Sequence, residues 1–238
     1  MTTVEHETKI LVLAGGLGTR LRPLTHTMPK VLVPVLGRPF IEFVLEDFAR
    51  QGFTRFVLSV GFLADQVEAH LGDGSQLGYR VEYVREEEPL GTGGAIRLAL
   101  PRLSDPFVVV NGDTLLQLDL AAMLDAHRRA GEPMTLAAAH VPDRGRYGAL
   151  QLREGRVTRF EEKRPDAGAG LINGGVYAMD HALLQGAPAG AFSLERDWLP
   201  RFTGRLGAFE TRGYFVDMGT HEVLRTLDAE LQAYLQRR

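Results

Sequence analysis

Residues 9–30 read "KILVLAGGLGTRLRPLTHTMPK": an apolar run flows straight into Gly15, Gly16 and Gly18, then into Arg20, Arg22 and Lys30. An apolar run of strand length ending in glycines lets backbone come close to something, because glycine has no Cβ in the way. The cations imply that this something is negatively charged. Two familiar phosphate loops fail the test. A P-loop needs four residues between its glycines and then Gly-Lys-Ser/Thr, which is absent. The dinucleotide fingerprint starts at Gly16 and Gly18 but meets Leu21 where its third glycine belongs.

The segments beyond this loop alternate. "PFIEFVLEDFARQG" puts Ile41, Val44, Leu45 and Phe48 on one helical face and Gly52 at its stop. "RFVLSVG" reads as a strand, "LADQVEAHLGDG" as a helix, "YRVEYV" as a strand and "TGGAIRLAL" as a helix. "PFVVVNGD" is a further buried strand, and "LDLAAMLDAHRRAG" a further helix. Strands alternating with helices predict an α/β fold, a Rossmann-like, mostly parallel mixed sheet covered on both faces. After Pro133 the texture turns β-rich: "MTLAAAHV", "YGALQLREGRVTRFEEK" and "LINGGVYAMD" read as strands, with a hairpin at Glu154-Gly155. Helices are expected at "LERDWLPRF" and "HEVLRTLDAELQAYL". The expectation is one domain over 1–238, with a nucleotide-binding half near 9–132 and a sugar-phosphate half near 133–238.

The 238 residues suffice for a sizeable core. A formal charge of −3 leaves no global basic excess, so nucleic acid is not the expected partner and any anion site must be local. No cysteine is present, which excludes disulfides and cysteine-bound metal. No apolar run approaches the roughly 18–20 residues that cross a bilayer, and "MTTVEHET" has no signal-peptide core. A cytoplasmic protein without membrane partners is expected, as a monomer or a homodimer. The histidines share no metal-ligand spacing, and Trp198 is expected in the core.

The stretch "LAGGLGTRLRPLTHTMPKVLVPVLGRPFIEF" resembles the N-terminal signature of sugar-1-phosphate nucleotidyltransferases, which join a nucleoside triphosphate to a sugar 1-phosphate and release pyrophosphate. "EPLGTGGAI", "VVNGDT", "RYGAL", "FEEK", "INGGVY" and "YFVDMGT" continue the resemblance in family order, over essentially the whole chain. Two anions must meet in such a reaction. At about 4 Å and an effective dielectric near 20, each pair of like charges repels by about 4 kcal/mol. Glycine N–H groups can cradle phosphate oxygens, and cations can neutralise them.

The resemblance implies a role for each of these positions. Leu13, Ala14, Gly15, Gly16, Gly18, Thr19, Asn111 and Gly112 would bind the nucleotide. Arg20 and Lys30 would be catalytic, neutralising the triphosphate and leaving pyrophosphate. Arg22 either helps or faces solvent. Glu86 and the backbone of Gly91 would contact the base; a carboxylate only accepts hydrogen bonds, and guanine offers two donors side by side. GTP is therefore the favoured nucleotide. Asp113 and Asp217 would hold Mg2+ as hard oxygen donors, although an aspartate after a strand also serves as a helix cap. Tyr147, Gly148, Glu162, Asn173 and Gly174 would bind the sugar, and Lys163 would hold its phosphate and join Arg20 and Lys30 as a catalytic cation. Ser193 in "FSLERDW" reads as a helix cap, with Glu195 and Asp197 in the first turn; the segment also resembles one subgroup of the family, which implies a sugar-pocket role as the alternative.

Among the subgroups, "EPLGTGGAI", "RYGAL", "INGGVY" and "FSLERDWLP" most resemble D-glycero-α-D-manno-heptose 1-phosphate guanylyltransferases. Mannose-1-phosphate guanylyltransferases and N-acetylmuramate-1-phosphate uridylyltransferases are the alternatives. The chain ends soon after its last helix, so a single activity is expected. A non-catalytic nucleotide-sugar sensor is the rival from another class; it would be expected to have lost a charged site residue, whereas Arg20, Lys30, Asp113, Lys163 and Asp217 are all present.

Overall fold

The computed structural model describes residues 7–161 and 168–237. β1 (Ile10–Leu13) leads through a loop to a short hairpin, β2 (Pro34–Val35) and β3 (Arg38–Pro39), and then to α1 (Phe40–Ala49). Next come β4 (Arg55–Val60), α2 (Ala64–Leu71), β5 (Arg80–Arg85), α3 (Gly91–Ala99), β6 (Phe107–Asn111), β7 (Thr114–Leu116) and α4 (Leu120–Ala130). The second half runs β8 (Met134–Val141), β9 (Ala149–Arg153), β10 (Arg156–Glu161) and β11 (Gly170–Met179). β12 (Gly207–Thr211), β13 (Phe215–Asp217) and α5 (His221–Arg237) complete it.

One nine-stranded sheet carries both halves, in the order β5-β4-β1-β6-β11-β8-β12-β10-β9. It is parallel from β5 to β6. Beyond β6 it turns antiparallel through β11 and β8, with β12 alone added parallel to β8. β9 then returns to β11 at Ala149–Ile172, so the last five strands close on themselves. The β-rich half thus extends the expected sheet rather than standing apart from it.

Both faces of β1 are apolar, as a buried parallel strand requires. Ile10 and Val12 face a core with α1, α2 and α5, while Leu11 faces a second core with Ile96 and Ala99 of α3. On α1 the expected stripe of Ile41, Val44, Leu45 and Phe48 is buried, each large side chain worth about 1.5–3 kcal/mol. Trp198 is core, its Nε1–H donating to the Leu183 carbonyl at 2.9 Å. The hairpin at Glu154-Gly155 forms with both residues at positive φ (53° and 71°), as a tight two-residue turn demands.

Two elements differ from expectation. "LERDWLPRF" is not one helix but a single wide turn, Leu194–Trp198, followed by a tight 3-10 turn, Leu199–Phe202. Pro200 lacks the N–H that a continuous ladder would need. The other is β12, whose "GAFET" has only a weak alternation and is held as a strand by five pairings with β8. No helix among the described residues is long and apolar enough to cross a membrane.

Candidate active site

Parallel strands leave a crevice beyond their carboxyl ends, and the glycine loop follows β1 into that crevice. Leu13 pairs with Ser59 of β4 on one side and Asn111 of β6 on the other, so the three strand ends stand level. Ala14 N–H donates to the Ser59 carbonyl at 2.8 Å, and Gly112 N–H to the Leu13 carbonyl at 3.0 Å. These two residues therefore hold the loop from behind. A cleft of about 460 Å³ opens in front, walled by Leu13, Gly15, Gly16, Gly18, Thr19, Glu86, Gly91, Asn111 and Asp113 of the expected set. Leu17, Pro89, Thr92 and Ala95 also line it, and nothing in their type marked them.

Gly15 is fixed by close approach: a Cβ there would lie 2.5 Å from Glu86 Oε1. Gly18 is fixed by conformation, with φ 59°, which lets its carbonyl accept from Leu21 N–H and from Thr25 Oγ1. Among the described residues, no acceptor is bonded to the N–H of Gly15, Gly16 or Gly18. Three donors are thus unspent at the cleft, as an oxyanion site needs.

The charged residues gather at one end. β13 pairs antiparallel with β7, matching Asp217 to Thr114, and Met218 N–H donates to the Asp113 carbonyl at 2.9 Å. Asp113 and Asp217 therefore sit side by side across a small ladder. Lys30 Nζ pairs with Asp113 Oδ2. A Cβ on Gly219 would lie 2.8 Å from Asp217 Oδ1 and 3.1 Å from an Arg20 Nη, so Arg20 and Asp217 flank the same glycine. Arg22 is exposed, in keeping with its solvent-facing reading. The helix-cap role falls to Thr220, whose Oγ1 accepts from Val223 N–H, and not to Asp217.

Glu86 is held by its surroundings. Its Oε1 accepts from Ser59 Oγ at 2.9 Å and its Oε2 from Leu90 N–H at 3.0 Å. Each oxygen keeps one further lone pair. Glu87 and Glu88 are exposed, as their solvated-loop reading requires.

Among the described residues, those expected on the sugar side do not line this cleft. Tyr147 packs edge-on against Phe215 at 5.3 Å, beside the β7–β13 ladder. Its phenol is pushed up by burial and then by the Asp217 charge. A Cβ on Gly148 would approach the Glu161 carbonyl to 3.1 Å, and one on Gly174 would approach Leu116 to 2.6 Å. Asn173 has its amide bound at both ends, Nδ2 donating to Tyr177 Oη and Oδ1 accepting from Gly175 N–H. Glu162 and Lys163 lie outside the described residues. Ser193 caps its turn by accepting from Arg196 N–H. Asp197 faces outward to Arg196, whose charged hydrogen bond lowers its pKa, whereas Glu195 faces inward to Thr92 and Tyr177.

A mixed sheet with helices on both faces brings the glycine loop, Arg20 and Lys30, and the carboxylates Asp113 and Asp217 together at the carboxyl edge of its parallel strands. The chain belongs to the nucleotidyl transferase family, whose model matches residues 9–233. It is 38% identical over 224 residues to the mannose-1-phosphate guanylyltransferase of Mycobacterium tuberculosis, covering 91% of this chain but 62% of that protein. It is 34% identical over 229 residues to the D-glycero-alpha-D-manno-heptose 1-phosphate guanylyltransferase of Aneurinibacillus thermoaerophilus, covering 94% of this chain and 99% of that one. The structure of HddC from Yersinia pseudotuberculosis complexed with GMP-PN superposes with a TM-score of 0.85 at 34% identity, over 94% and 99% of the two chains.

Proposed function

We propose that this protein transfers a nucleotidyl group from a nucleoside triphosphate, GTP in the favoured reading, to a sugar 1-phosphate. A nucleotide sugar and pyrophosphate are the products. The observation that carries the reading is a cleft lined by Asp113 and by three glycines with unspent N–H groups, with Lys30 paired to Asp113 and with Asp217 and Arg20 adjoining it across the β7–β13 ladder. Membership of the nucleotidyl transferase family supports it.

In this reading an oxygen of the sugar phosphate attacks the α-phosphorus in line. A new P–O bond forms, the bond to the β-phosphate bridging oxygen breaks, and pyrophosphate leaves with its electron pair. The glycine N–H groups hold the triphosphate, while Arg20 and Lys30 counter the charge that builds on the leaving group. No protein nucleophile is needed, so this chain contributes mainly position and neutralisation.

Asp113 and Asp217 fit a divalent cation. They bring hard oxygens to one place, and no group of three metal-ligating His, Cys, Asp or Glu side chains exists among the described residues. That donor set suits Mg2+, which keeps waters and binds through one or two carboxylates plus phosphates. Bound there, the ion would offset triphosphate charge and polarise its oxygens. The pairing of Lys30 with Asp113 supports the reading that this end attracts positive charge.

Two lone pairs remain on the oxygens of Glu86 for the adjacent donors of a guanine edge, which favours GTP. D-glycero-α-D-manno-heptose 1-phosphate is the preferred sugar, on the near-complete mutual coverage with the heptose enzyme. Mannose 1-phosphate is the second reading, on the 38% identity to the longer Mycobacterium protein. Pyrophosphate release across a panel of triphosphates and sugar 1-phosphates tests this. The expected result is turnover with GTP and the heptose or mannose phosphate. UTP or dTTP used as well as GTP would overturn the guanylyl assignment, and no turnover at all would favour the regulatory rival.

A further inference from the structure

The carboxylate of Glu195 gathers three hydroxyls from separate parts of the chain. Thr92 Oγ1 donates to Oε2 at 2.7 Å, Ser193 Oγ to the same oxygen at 3.2 Å, and Tyr177 Oη to Oε1 at 3.1 Å. Thr92 is the second residue of α3 and lines the nucleotide cleft beside Gly91. Tyr177 belongs to β11, the strand that carries Asn173. A continuous relay therefore runs from the nucleotide cleft to the sugar side.

The hydrogen directions in this relay are fixed. Gly175 N–H requires an acceptor, so Asn173 turns Oδ1 to it and Nδ2 to Tyr177. The Tyr177 oxygen accepts from that amide, and its own hydrogen goes to Glu195. Thr92 Oγ1 accepts from Leu194 N–H at 2.8 Å, so its hydrogen also goes to Glu195. Only an acceptor-only group satisfies these converging donors. Tyr177 is 1% exposed, so water cannot repair a mismatch there. The strap of residues 192–195, which carries Glu195, is also tied to the base loop through backbone: Phe192 N–H donates to the Leu90 carbonyl, and its own carbonyl accepts from Gly93 N–H at 3.0 Å.

We propose that Glu195 is a positioning residue that couples the two substrate sites. A nucleotide that orders Gly91 and Thr92 fixes Glu195, and through Tyr177 fixes the amide of Asn173 before the sugar phosphate arrives. The sugar phosphate then binds more tightly to the nucleotide-loaded enzyme, because the ordering cost has been met by the first ligand. This inference rests on the sugar-1-phosphate nucleotidyltransferase reading and adds to it a route of communication.

The test is calorimetric titration of the full chain with the sugar 1-phosphate it turns over best, with and without a non-hydrolysable GTP analogue and Mg2+. In the wild type the analogue should tighten sugar-phosphate binding, in the range of about 5–150-fold common for coupled sites. Glu195→Gln keeps the shape but turns an NH2 towards converging donors, so the ratio of the two affinities should fall towards one while nucleotide affinity is kept. Tyr177→Phe keeps the ring and removes one hydroxyl; it should lower the same ratio, and it decides alone if Glu195→Gln does not fold. A purely structural role would lower thermal stability and leave the ratio unchanged. A wild-type ratio of one, or a wild-type ratio retained in folded variants, overturns the coupling. A wild type that turns over no sugar 1-phosphate overturns the functional reading and this inference together.

Discussion

Asp113 and Asp217 stand far apart in the chain, and three residue pairs between β7 and β13 set them side by side. If both hold one magnesium ion, Asp→Asn at either should raise the magnesium requirement of pyrophosphate release. Loss of an outer partner of a metal already costs about 10–100-fold in affinity, so loss of a ligand should cost at least that. The double variant should lose clearly less than the two single losses combined, because a site broken once cannot be broken again. Since Thr220 caps α5, Asp217→Asn should fold normally, as circular dichroism would report. A fully active Asp217→Asn enzyme at ordinary magnesium would sink the shared site.

The start of α3 shows how an element can be shaped by what lies on it. A Cβ on Gly93 would sit 2.1 Å from the Phe192 ring, which is itself buried and tied by backbone bonds to Leu90 and Gly93. Alanine gains up to about 1 kcal/mol of helix preference over glycine. Overpacking against a held ring costs about 1–3 kcal/mol and wins. Gly93→Ala should therefore lower the urea midpoint. Gly16→Ala, where a Cβ meets nothing within 4 Å, should leave the midpoint close to that of the wild type, whatever it does to nucleotide binding. Equal midpoints for the two variants would mean that the strap does not pack on α3. The strap also explains why the phosphates are assigned to the glycine loop and not to this helix start, where the N–H groups of Gly93 and Gly94 are spent on the Phe192 carbonyl.

Stability of the folded chain should have an alkaline edge. Burial first, and then neighbouring charges, push up the phenols of Tyr79, Tyr83, Tyr147, Tyr177 and Tyr214. Each folded value lies above the unfolded value of about 10. Their contribution is therefore complete below about pH 10 and is lost as pH climbs through the folded values. Tyr214 isolates one of them. Its ring stacks on Tyr234 at 4.4 Å, and its buried hydroxyl has no hydrogen-bond partner among the described residues. Tyr214→Phe should keep the stack, gain about 1 kcal/mol at neutral pH by removing an unsatisfied hydroxyl, and make the alkaline loss shallower. Urea titrations from neutral to alkaline pH would show both; a variant less stable than wild type at neutral pH would show that the hydroxyl has a partner.

Local patterns were enough for much of this. The run Ile10–Leu13, the stripe Ile41, Val44, Leu45 and Phe48, the turn at Glu154-Gly155 and the glycine loop each carry their own cause within a few residues. The parallel half of the sheet and the cations at its edge could be read from them. β12 could not, because its strand conformation comes from pairing with β8 and not from its own alternation. The turn that carries Glu195 could not either, since a proline broke the helix its pattern suggested. Nor could the hub at Glu195, where Thr92, Tyr177 and Ser193 supply hydroxyls that no spacing announces. Periodicity records which face of an element is buried; only the packed chain decides which distant polar groups that burial forces to satisfy one another.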